Sequence, residues 1–84
     1  MNKLQAAINK HIATQKIAVE KYEIMRLAYW KKMELIMDKA DDAEIANANA
    51  EYTNATAIHD EADKIAKDAE MQFYIICALY RRLK

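Results

Sequence analysis

The side chains with chemistry to offer are few, and the first to weigh is His59, with Asp60 and Asp63 close by. Residues four apart share a helix face, so His59 and Asp63 would set an imidazole beside a carboxylate, the beginning of a metal site or a pH-sensitive pair. A lone histidine and aspartate at this spacing is common on helices, and the expected role of His59 is a hydrogen-bonded or solvated histidine on a packing seam. His11 lies on the edge of the first apolar stripe and is expected at the surface. The pairs Glu20/Glu23 and Asp60/Asp63 have the three-residue spacing of carboxylate metal sites in helical bundles. That signature also requires a glutamate three residues before a histidine, and neither His11 nor His59 has one.

Other chemistry is excluded by composition. There is no serine, and the single cysteine, Cys77, falls in the apolar run Phe73 to Tyr80, where a thiol behaves as a small hydrophobe. Without any glycine, no glycine-rich phosphate loop can form. The chain is therefore expected to be non-enzymatic, with no catalytic, cofactor-binding or metal-ligating residues. Lys3, Lys10, Lys21 and Lys32 fall within about 40° of one another on a helix and make a basic stripe up to about 43 Å long, which could track a phosphate backbone or simply be solvated.

Long helices must position these groups, because neither glycine nor proline interrupts the 84 residues. Alanine recurs every seventh residue at Ala48, Ala55, Ala62 and Ala69, and the wider stripe takes in Tyr52, His59, Ala66, Phe73, Ile76, Tyr80 and Leu83. A small residue at every heptad lets helix backbones approach closely. The expected packing seam is Ala48, Ala55, His59, Ala62, Ala69, Phe73 and Ile76. In the first half the 4-3 spacing runs through Ile8, Ile12, Gln15, Val19, Tyr22, Arg26, Tyr29, Met33 and Ile36. The two stripes are one residue out of step across Asp38–Glu44, where Asp41 can cap a new helix with Glu44 at its third position. The pattern predicts an all-α fold in a single domain over 1–84: helix 1 about 3–38, a turn about 39–42, and helix 2 about 43–82. A continuous helix is the competing arrangement, and a further break across Asn47–Thr56, where Asn47, Asn49, Thr53, Asn54 and Thr56 lower helix propensity, would make three helices. In the hairpin, position i faces roughly 82 − i.

Net charge is zero but segregated: residues 1–37 carry seven Lys/Arg and three acids, residues 38–70 three and ten, and residues 71–84 three bases. A hairpin then has a basic pole at its termini and an acidic pole at its turn. The hairpin alone cannot cover Met71, Tyr74, Ile75 and Ala78, or Ile17, Ile24 and Leu35 on the far side of helix 1. An antiparallel homodimer forming a four-helix bundle would cover part of this surface and match the poles. The longest apolar stretch is far short of the roughly 20 residues a membrane span needs, no leader-like segment is visible, and a cytoplasmic location is expected.

Ile17, Ile24, Leu27 and Leu35 interleave with Lys21, Lys31 and Lys32. Apolar anchors with a charged rim suit a protein partner, and these seven residues are the expected partner-binding set. The expected function is a stoichiometric protein-binding module, a regulator or inhibitor of a macromolecular partner. Two helices, an acidic turn and antiparallel dimerisation also resemble the Rop-type RNA-binding hairpin in layout. No motif of that family aligns, so the resemblance assigns no residues; it implies RNA binding through the basic stripe as the alternative. A structural coiled-coil component is the second alternative.

Overall fold

The computed structural model describes residues 2–83, which form two helices, α1 (Lys3–Met37) and α2 (Asp42–Leu83), with no strand among the described residues. They fold back on each other as a helical hairpin. Its dimensions are 64 × 17 × 13 Å, and its radius of gyration of 18.8 Å far exceeds the roughly 12 Å of a compact chain of this length.

Each helix start is closed by a side chain that satisfies an otherwise orphaned amide. Asn2 accepts from the Gln5 N–H at 2.8 Å, and Asp41 accepts from the Glu44 N–H at 2.8 Å. Asp42 and Glu44 sit in the first turn of α2 and Arg81 and Arg82 in its last, each sign complementing the helix dipole. The end of α1 is a Schellman turn: the Lys39 N–H donates to the Ile36 carbonyl at 3.2 Å and the Ala40 N–H to the Leu35 carbonyl at 3.0 Å. The motif needs a left-handed residue, and Lys39 supplies it with φ 55° where glycine is usual. The chain therefore reverses without glycine.

The core is a row of alanines. Ala18, Ala48, Ala55, Ala62, Ala66 and Ala69 are only 2 to 9% exposed, and no large side chain is fully buried. On α2 the interior stripe follows the heptads expected, with Tyr52, His59, Phe73, Ile76 and Tyr80 half-buried between the alanines. On α1 the register differs from the expectation by one residue. The helix turns Leu4, Ala7, His11, Thr14, Ala18, Lys21, Met25, Ala28, Lys32 and Leu35 toward α2, all buried or half-buried. Of the expected stripe Ile8 and Met33 are half-buried, whereas Ile12, Gln15, Val19, Tyr22, Arg26, Tyr29 and Ile36 are exposed. Closeness of approach explains the choice: Ala7, Thr14, Ala18 and Ala28 fit against the alanine face, and the flexible stems of Lys21, Met25 and Lys32 can lie flat along it. Bulkier groups move to the shoulders, from which Tyr22 and Tyr29 reach across to the rings of His59 and Tyr52 at centroid distances of 5.6 Å each.

The hydroxyls on these faces are satisfied locally, Thr14 donating to the Lys10 carbonyl at 2.8 Å and Thr56 to the Tyr52 carbonyl at 2.9 Å. Lys31 and Glu51 form an ion pair across the two helices at 3.2 Å, which matches the pairing of i with 82 − i.

Candidate protein-interaction surface

The heptads that close the alanine seam leave two flanks along the hairpin. On one, α1 presents Lys3, Lys10, Ile17, Ile24 and Lys31 at seven-residue intervals, and α2 presents Glu51, Ile58, Ile65, Gln72 and Leu79 at the same interval. The Lys31–Glu51 pair ties the two rows together. In that register Ile24 is level with Ile58 and Ile17 with Ile65, so four β-branched residues lie on one flank midway along the molecule. They are 45 to 53% exposed, half of each side chain lying against the helix surface and half facing outward. Three of them, Ile17, Ile58 and Ile65, line a groove of about 370 Å³ together with Thr14, Lys21, Ala57, Glu61 and Ala62. The apolar floor has a cation and a carboxylate at its rim.

The expected partner-binding residues divide on this geometry. Ile17, Ile24, Leu27 and Lys31 are exposed on or beside the flank. Lys21, Lys32 and Leu35 are half-buried on the side of α1 that faces α2. Lys21 still reaches the groove's rim, whereas the Lys32 ammonium lies 5.4 Å from the centre of the Tyr52 ring, a cation–π contact within the hairpin. Ile58, Ile65, Glu51 and Glu61 from α2 complete the surface. Their signal in the sequence was the seven-residue spacing of Glu51, Ile58 and Ile65, which matters only once its pairing with Ile17, Ile24 and Lys31 is known.

The opposite flank has a different chemistry. Ile12, Val19, Tyr22 and Tyr29 of α1 are exposed there, with a shallow hollow lined by His11, Ile12, Gln15, Lys16, Val19 and Glu20. A smaller hollow is lined by Tyr22, Met25, Arg26, Tyr29 and Tyr52. The adjoining face of α2 is polar through Thr53, Thr56, Asp60, Asp63, Lys67 and Glu70 and turns apolar at Tyr74 and Cys77 toward the terminal end. Two ion pairs stay within single helices: Arg26 with Glu23 at 2.9 Å and Lys67 with Asp63 at 3.0 Å. In each, the hydrogen bond to the carboxylate, reinforced by its charge, raises the cation's pKa above its ordinary value.

The histidines are used in packing. His59 is half-buried, its Nδ1 3.3 Å from an Asp60 carboxylate oxygen and its ring against Tyr22. His11, expected at the surface, stacks face to face on Phe73 with ring centroids 5.4 Å apart and planes 4° from parallel. Its Nδ1 is enclosed and has no hydrogen-bond partner among the described residues. Cys77 is a free, half-buried thiol. Among the described residues no three His, Cys, Asp or Glu side chains converge as metal ligands, and no helix is long and apolar enough to cross a membrane. No protein-family model matches the chain, and no curated protein or solved structure matches it either.

Proposed function

We propose that this chain works without catalysis, as a small helical protein-binding module that acts stoichiometrically on a macromolecular partner, as a regulator or inhibitor, from within a homodimeric four-helix bundle. The observation that carries the reading is that both flanks expose apolar groups among charges, the isoleucines with Lys21, Lys31, Glu51 and Glu61 on one side and Ile12, Val19, Tyr22 and Tyr29 with Lys16, Glu20 and Arg26 on the other, the composition from which protein interfaces are built. Surface area supports it as well. A compact protein of this mass exposes about 5,100 Å², whereas this chain of 9.7 kDa exposes 6628 Å². The hairpin closes one seam and leaves apolar groups on both flanks, enough for a second copy and a partner together.

The lysine stripe supports the RNA-binding alternative less in three dimensions than on a helical wheel. Lys21 and Lys32 are drawn toward the seam, and the acids Glu51 and Glu61 border the same flank. A free, half-buried thiol suits a reducing compartment, and the reading assigns the protein to the cytoplasm.

Capture from an extract of the native host, with and without nuclease, tests this function. The expected result is a protein partner retained in fixed proportion to the chain after nuclease treatment and through a modest rise in salt. Loss on nuclease treatment, with affinity falling tenfold or more over the same salt range, would transfer the function to RNA.

A further inference from the structure

We infer that the isoleucine flank is where a second copy of this chain docks, with the two hairpins antiparallel. The inference rests on the homodimeric reading above and adds to it a face and an orientation.

Three observations select a second copy as the occupant. The first is position. Ile17, Ile24, Ile58 and Ile65 surround the point level with residues 20–21 of α1 and 61–62 of α2, close to the middle of both Lys3–Met37 and Asp42–Leu83. A two-fold axis through that point superposes the whole length of one hairpin on the other. It brings Ile17 of one copy against Ile24 of the next and Ile58 against Ile65, a self-complementary contact of the kind closed dimers use. A patch near either end of the hairpin would leave most of its length uncovered.

The second is charge. At the terminal end, residues 3–16 and 66–83 hold Lys3, Lys10, Lys16, Lys67, Arg81 and Arg82 against Asp68 and Glu70. At the turn end, residues 27–55 hold Glu34, Asp38, Asp41, Asp42, Glu44 and Glu51 against Lys31, Lys32 and Lys39. Each hairpin therefore has a basic end and an acidic end. Antiparallel docking sets each basic end over the partner's acidic end, while parallel docking sets like over like. Exposed charges are screened, so the effect on orientation outweighs its effect on affinity.

The third is area. A flank 64 Å long and 17 Å wide has room for the roughly 800 Å² per partner that stable complexes bury. The tyrosine flank lacks a matching row at mid-length: there its α2 side is Thr53, Thr56, Asp60 and Asp63, and Tyr74 and Cys77 follow in the same rows only toward the terminal end.

Sedimentation equilibrium of the full chain at micromolar concentration, with far-UV circular dichroism of the same samples, is the test. The unmodified chain should sediment at twice 9.7 kDa. Ile24→Asp and, separately, Ile58→Asp should each weaken self-association at least tenfold while staying helical, and Val19→Asp on the other flank should leave the dimer intact. A variant that unfolds is replaced by a distance measurement on an otherwise native surface. A spin label on Asn47→Cys in a Cys77→Ala background should report a separation of about 45 Å between copies when they are antiparallel, against less than about 30 Å when parallel. A dimer that survives both isoleucine changes and breaks with Val19→Asp overturns the assigned face and leaves the homodimer standing. The shorter label distance overturns the orientation. A chain that is a folded monomer at every concentration overturns this inference and the homodimeric reading together, with partner capture remaining as a separate test of function.

Discussion

Every buried side chain among the described residues is an alanine, so the close approach of the two helices depends on these residues staying small. Ala62 lies against Ala18 and Ala66 at the centre of the seam and lines the isoleucine groove, so the three added carbons of Ala62→Leu either push the helices apart or fill that groove. The expected loss is about 1–3 kcal/mol or a change in oligomeric state, read by thermal melting and sedimentation. His11 is the opposite case. Its ring gains from stacking on Phe73, but its enclosed Nδ1 lacks a partner, a desolvation cost of about 1–3 kcal/mol against a stacking gain of about 0.5–1.5 kcal/mol. His11→Leu keeps the apolar volume and removes the orphaned nitrogen. It should stabilise the protein by about 1 kcal/mol, or about 4–8 °C in melting temperature for a domain of this size. A lower melting temperature would mean the stack outweighs the orphaned atom.

At the scale of the elements, the reversal between α1 and α2 depends on two residues with opposite prospects for improvement. Lys39 holds a left-handed backbone with φ 55°, which strains any residue bearing a Cβ. Lys39→Gly should therefore stabilise the hairpin by about 0.5–1 kcal/mol, the rare case of a glycine strengthening a helical protein. Asp41→Ala removes the acceptor of the Glu44 N–H and should cost about 1 kcal/mol. Chemical denaturation of the two variants beside the parent chain measures both. Equal and opposite shifts in midpoint with unchanged slope would mean that the turn, and not the helix–helix seam, absorbs the change.

For the whole molecule, the determining fact is that a two-helix rod has too little interior for its apolar content. Ile12, Val19, Leu27, Trp30, Met71, Tyr74, Ile75 and Leu79 are all more than half exposed. If a second copy covers part of this surface, folding and association are linked, and the melting temperature should rise with protein concentration across the micromolar range. A melting temperature independent of concentration would argue for a monomer. Much of this architecture was legible in the sequence: the absence of glycine and proline, the Asp41 and Glu44 cap and the slip in heptad register locate two helices and the turn to within about a residue. The heptad alanines likewise identify the α2 seam, because a small residue at every seventh position has one strong structural use. The packing face of α1 was not legible. Two apolar stripes one residue apart, Ile12–Val19–Tyr22 and His11–Ala18–Lys21, compete for the same seam, and hydrophobicity favours the wrong one. Only the distance between helix axes decides between them, since an alanine face on α2 admits the smaller and more flexible stripe and turns the larger one outward. The same choice of face decides the surface, moving Leu35 and Lys32 inward and joining Ile17 and Ile24 to Ile58 and Ile65. Those residues are far apart in the chain, and tertiary pairing alone makes them neighbours.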